Sequence, residues 1–151
     1  MKRALPFLAV LMLGAAVASC GYNTPSSPAT ESTATFTARL LPANEVPPIT
    51  NDDAGGSADA TITVSLTKDP YGTTTAASMA VSVTGAGFPS GTAVTNAHIH
   101  AGAGGTNGGV FVSIGLAAGE VTFASGSGSF TKSGIALTAD QADAILANPA
   151  G

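Results

Sequence analysis

The chain has 151 residues, of which 9% are charged and 44% hydrophobic, with nineteen glycines, one cysteine and no tryptophan. That length suits one domain, and a composition rich in Ala, Gly, Thr and Ser suits an extracytoplasmic β-domain with small side chains and many turns. Beyond residue 20, Arg39, Lys68 and Lys132 face nine carboxylates, a net charge of −6. An acidic chain with three scattered cations offers nothing to a phosphate backbone, which argues against nucleic acid as a partner.

Residues 1–19 read as an export signal. Lys2 and Arg3 precede the apolar run 4-ALPFLAVLMLGAAV-17, which is shorter than the ~20 residues that span a bilayer. The segment 17-VASC-20 then has the form of a bacterial lipobox, small residues ahead of a cysteine that is acylated and becomes the new N-terminus. An ordinary secretory signal cut near Ala16–Ala18 is the other reading. Cys20 is the sole cysteine, and a lone thiol elsewhere in an exported protein invites mispairing. Lipidation gives it a use, and several acyl chains at ~0.8 kcal/mol per buried methylene hold a protein on a membrane. The expected location is the periplasmic face or cell surface; Gly21 after the cysteine favours the outer membrane where there is one.

Residues 20–34 form a Ser/Thr/Pro-rich tether, with 21-GYNTPSSPATEST-33 too polar to pack. As a flexible coil it spans roughly 20 Å. The folded domain is expected over 35–151.

From Thr35 the hydrophobic period is two. Phe36, Ala38 and Leu40 alternate with polar neighbours; so do Ala60, Ile62, Val64 and Leu66, and Met79, Val81 and Val83. Such alternation marks strands buried on one side, as in an antiparallel sheet. Further strands are predicted at 93-AVTNAHIH-100, 109-GVFVSIG-115, Val121–Phe123 and Ser127–Thr131. Turns are predicted at 51-NDDAGG-56, 68-KDPYG-72 and 87-GFPSG-91. Six or seven short strands at this spacing predict an all-β fold, an antiparallel β-sandwich. One short C-terminal helix is expected: Thr138 and Gln141 form a T-x-x-Q capping box, Ala142, Ile145 and Leu146 share a face, and Pro149 stops the helix.

Chemical motifs are few. The glycines of 102-GAGGTNGG-109 fit neither G-x-G-x-x-G nor a P-loop and read as a loop. No cysteine beyond Cys20 and no serine in a nucleophile elbow is present, so the expectation is a protein without catalytic residues. Asp52 and Asp53 lack the spaced oxygen ligands of a calcium loop and read as a turn. His98 and His100 are the two histidines of the chain. On a strand, Asn96, His98 and His100 point to one face. Two imidazoles at that spacing can converge on copper or zinc, but such sites take three or four ligands. Two readings stay open: a hydrogen-bonded polar pair at a sheet edge, or part of a Cu or Zn site.

The segments 36-FTARLLPANEVPPI-49, 55-GGSADATITV-64, 80-AVSVTGAG-87 and 97-AHIHAGAGGTNGGV-110 occur in the order and spacing of the CHRD (chordin-type) domain, which this chain resembles from about Thr35 to Gly151. Its most recognisable marks are A-H-I-H and A-N-E-V-P-P, whose Asn44, Glu45, Val46, Pro47 and Pro48 carry a structural motif of the family. The resemblance implies an extracellular β-sandwich, found in bacterial envelope proteins and repeated in animal chordins, which bind growth factors. Taken with the lipobox, the reading is a lipid-anchored, non-catalytic surface or binding module with a protein or envelope ligand that the residues do not name. The alternative is an envelope metal-binding protein using His98 and His100. Members of the family continue past N-P-A-G into a Y-x-N-x-H-T strand carrying another histidine, whereas this sequence ends at 148-NPAG-151. The expectation is therefore a domain incomplete at its C-terminus.

The A-N-E-V-P-P prolines cannot donate ladder hydrogen bonds, so the first strand is expected to end by Glu45 or Val46. Glu45 is expected in a rigid turn, held by a buried donor.

Overall fold

A computed structural model describes residues 28–150 of the chain. The expected export signal, Cys20 and residues 21–27 of the expected tether lie outside them.

The longest strands are those with the clearest alternation. β1 (Thr30–Leu40), β2 (Ser57–Lys68), β3 (Thr74–Ala86) and β8 (Gly128–Ala136) form an antiparallel sheet in the order β1-β2-β3-β8. Ala58, Ala60, Val64 and Leu66 of β2 and Met79, Val81 and Val83 of β3 are buried on one face. Val64 and Met79 are enclosed completely, each contributing roughly 1.5–3 kcal/mol of hydrophobic stabilisation. Two two-stranded sheets complete the strand set: β4 (Thr92–Val94) with β7 (Val121–Phe123), and β5 (His98–His100) with β6 (Val110–Ser113). Val112 of β6, Ile114 after it, Leu137 and Ala142 join the core of the large sheet, with Ile99, Ile145 and Leu146 packed around them. The fold is all-β and sandwich-like, with one short helix.

That helix, α1 (Ala139–Ala147), starts as its sequence predicts. The Thr138 N–H donates to Gln141 Oε1 (2.9 Å), and the Gln141 N–H donates to Thr138 Oγ1 (3.1 Å). The nitrogen of the Gln141 amide is engaged as well. Its Nε2 donates to the Phe111 carbonyl on β6 (2.6 Å), so one side chain both caps the helix and pins it to the small sheet. Turn chemistry also holds at the β2–β3 hairpin, where Asp69 Oδ1 accepts from the N–H groups of Tyr71 (2.9 Å) and Thr73 (2.8 Å) and Gly72 takes φ +87°. Residues Asp52–Gly55 form a 3-10 turn whose Asp53 N–H donates to Asn51 Oδ1 (3.0 Å), as the turn reading of Asp52 and Asp53 expects.

Two expectations need correction. β1 begins at Thr30 rather than Thr35, because Thr30–Ala34 pair with Val64–Lys68 of the long β2 even though Thr30–Thr33 are exposed; the tether therefore gives up its last residues to the sheet. The strand ends at Leu40, within the limit the prolines set, and a 3-10 turn over Pro42–Asn44 takes over. The strand expected at 93–100 is two strands with different partners. Between them the Asn96 side chain accepts from the Ala97 N–H (2.9 Å), a local bond that competes with a ladder.

Candidate functional site

The two most distinctive segments of the sequence, A-N-E-V-P-P and A-H-I-H, meet at one open groove of about 430 Å³. One wall is the end of β1 and the loop after it, with Leu40, Leu41, Glu45 and Ile49; the other is the β4–β5 segment with Asn96, His98 and His100, and Phe123 and Phe130 also line the groove.

The loop Leu41–Ile49 owes its shape to one acceptor. The buried Pro42 offers its carbonyl to the N–H groups of Glu45 (3.3 Å) and Ile49 (3.0 Å), while the Asn44 N–H donates to Leu41 O (2.9 Å). Pro47 and Pro48, with a cis peptide bond between Val46 and Pro47, occupy positions that need no N–H. The buried donor expected to hold the Glu45 side chain is not found among the described residues. Glu45 is exposed at the groove, and the hydrogen bond it makes comes from its backbone. With the strand already over at Leu40, the turn carries the carboxylate to the rim instead of into the sheet. Val46 is also left exposed.

His98 and His100 are brought together as expected, both exposed, with ring centroids 4.5 Å apart and planes at 73°. His100 Nδ1 lies 2.7 Å from the Gly108 carbonyl. A carbonyl only accepts, so Nδ1 carries a proton and the neutral ring keeps its lone pair on Nε2. This is the arrangement that orients metal-binding histidines. The loop 101–109 makes it possible. Ala101 N–H donates to Gly109 O (3.1 Å), Gly108 N–H donates to Thr106 O (3.1 Å), and a Cβ on Gly108 would fall on the Ala101 carbonyl. By residue type alone these glycines read as plain loop; the signal that could have found Gly108 is its place at the close of the loop that starts at His100.

Asn96 is not on the histidine strand but in the break before it. Among the described residues, no group of three or more His, Cys, Asp or Glu is placed to hold a metal ion. Asp53, at the far side of the groove, is engaged by Thr92 Oγ1 (3.2 Å). The arrangement therefore offers an apolar trough, two carboxylates at its edge, and a two-imidazole pair with one tautomer fixed.

No curated protein and no solved structure matches the chain. Residues 36–151 match the CHRD domain, and Glu45 of A-N-E-V-P-P and Ala97, His98 and His100 of A-H-I-H are among the residues that line the groove. The chain belongs to the CHRD domain family.

Proposed function

We propose that this CHRD chain is a lipid-anchored extracytoplasmic binding module, non-catalytic, held on the membrane through acylated Cys20. The binding reading is carried by the groove's rim. Leu40, Leu41 and Ile49 are 45%, 39% and 40% exposed there, in a chain whose core takes Val64, Met79 and Val81 almost wholly out of water. Apolar side chains gathered at a concave surface with a few polar groups are what a ligand site requires. With Glu45 and Asp53 at the edge and a net negative chain, the fitting ligand has an apolar body and a cationic or hydrogen-donating head.

Octylammonium is a minimal probe of that chemistry. Titrated into the full chain and followed by NMR, it is expected to shift resonances of Leu41, Ile49 and Phe123 saturably, and Leu41→Asp or Ile49→Asp is expected to remove the effect. Shifts of equal size in those variants would overturn the assignment of the groove. The anchor has its own check: Cys20→Ser is expected to abolish acyl labelling and membrane retention, and a wild-type chain that partitions wholly into the aqueous phase would refute it.

A second reading is supported by the histidine pair: binding of Zn²⁺ or Cu²⁺ through His98 and His100, favoured by their 4.5 Å approach and the Gly108 bond to His100.

A further inference from the structure

We infer that His98 and His100 form half of a zinc site completed by the same pair from a second copy of this chain, so that one Zn²⁺ bridges two molecules with four imidazoles. The inference rests on the metal-binding reading of the pair and adds the partner.

Three observations lead to it. The first is ligand geometry. Zinc bound by two imidazoles in a tetrahedron, with Zn–N near 2.0–2.1 Å, sets their ring centroids about 5 Å apart. The observed 4.5 Å is within about 1 Å of that, so the separation of the rings suits a shared ion. The Gly108 carbonyl already holds the His100 proton on Nδ1, leaving Nε2 to bind.

The second is ligand count. Structural zinc sites are four-coordinate, and the described residues bring no third His, Cys, Asp or Glu to the pair. Both histidines are exposed at the open groove, so the remaining coordination positions can be reached from outside. A second copy supplies two more imidazoles through a two-fold axis, the commonest symmetry of homo-oligomers.

The third is the surface around them. His100 pairs with Val110 across β5–β6, where the pairing shifts register after Ile99, and both residues are exposed. Val110 is 60% exposed, more than any other valine, leucine or isoleucine among the described residues. It gives the face an apolar contact beside the ligands. The neighbouring loop from Ala101 to Gly109 carries no side chain larger than Thr106 or Asn107, so another molecule can approach closely. Zinc also offsets the repulsion between two acidic chains.

The test uses the full chain in density-matched detergent, with Zn²⁺ as the probe. Calorimetry is expected to give one zinc per two chains, and sedimentation is expected to show the protein mass doubling on zinc addition and returning with a chelator. His98→Gln and His100→Gln, both exposed substitutions checked by their melting temperatures, are each expected to abolish the doubling. One zinc per chain with no change of mass would overturn the bridge and leave the metal reading standing. No zinc uptake would overturn both. Doubling that persists in either variant, or occurs without zinc, would place the contact elsewhere and overturn the bridge.

Discussion

Replacing Gly85 by alanine tests whether the two layers are locked by a single ring. Gly85 of β3 and Gly128 of β8 face each other in the sheet register, and together they leave a slot filled by Phe123 of β7. A Cβ on Gly85 would lie 2.6 Å from Phe123 Cε2, and one on Gly128 would lie 2.6 Å from Phe123 Cδ1. Carbon atoms pack at about 3.5–4.0 Å, so either methyl is roughly 1 Å too close. The ring cannot simply retreat. Phe123 is 3% exposed and tilts at 53° against Phe88, with centroids 5.5 Å apart, and Phe88 in turn covers the bare face of Gly56.

The sign of the effect is diagnostic. Gly85 is not among the glycines with positive φ, so an alanine there should stabilise by roughly 0.4–1 kcal/mol through the unfolded chain if space allowed. Overpacking of a filled core instead costs about 1–3 kcal/mol. The expected outcome is net destabilisation of about 2 kcal/mol, lowering the melting temperature by roughly 8 °C in a domain of this size. Phe123→Leu removes the ring edge at a cost of roughly 1–2 kcal/mol. In the double variant the leucine makes room for the methyl, so the combined loss should fall short of the sum by about 1 kcal/mol or more. Urea unfolding of the four proteins measures this. A Gly85→Ala variant as stable as the parent, or losses that add within about 0.5 kcal/mol, would refute the slot.

The two roles of Gln141 predict a split between variants: Gln141→Ala loses both the acceptor for the Thr138 N–H and the bond to the Phe111 carbonyl, about 2 kcal/mol in all, whereas Gln141→Glu keeps that acceptor and loses only the donor. Chemical denaturation distinguishes them, and equal losses would remove one of the two roles. Glu120 gives a pH prediction. The Ala117 N–H donated to Oε2 (2.9 Å) is the main cause of its lowered pKa, with Lys132 (2.6 Å) the second. A carboxylate with a depressed folded value contributes stability above its ordinary value of 4.5 and loses it as pH falls through the folded one. The advantage of the parent over Glu120→Gln is therefore expected to be level at neutral pH and to shrink on acidification below that ordinary value; an advantage that grew with acid would contradict the assignment. Glu45→Ala and Glu31→Ala, both at exposed positions, are expected to melt within about 2 °C of the parent.

The parts of the fold legible in the sequence are those where burial and pairing coincide. β2 and β3 bury Ala60, Val64, Leu66, Met79, Val81 and Val83 on one face, and the alternation marks them. The helix start is legible because Thr138 and Gln141 make a bond set that is local in sequence. Hydrophobic period is silent about strands held by backbone alone. Thr30–Thr33 extend β1 with exposed side chains because β2 runs on beside them. The extension of β8 past Thr131 is hidden because Ser133 and Gly134 break the alternation; there the strand pairing shifts register and Gly134 takes φ +68° without ending the strand. At the site, the histidine pair is legible from its spacing of two, and the role of Gly108 is not, because a carbonyl acceptor leaves no mark on residue type.

The two halves of the candidate site stand on different supports, which makes them separable. The histidines sit on β5 and depend on β6 and the loop closed by Gly108. The apolar half depends on the end of β1, the turn gathered by Pro42, and Phe123 in its glycine slot. Phe123→Leu should therefore weaken octylammonium binding by removing groove lining while leaving zinc uptake unchanged. His98→Gln should do the reverse, since the pair lies at the groove's edge and adds little apolar surface to it. Measuring both ligands on both variants decides whether the groove and the pair are one site or two. If Phe123→Leu also lost zinc, the pair would be positioned through the β7 ring, and the support assigned here to Gly108 and β6 would be insufficient.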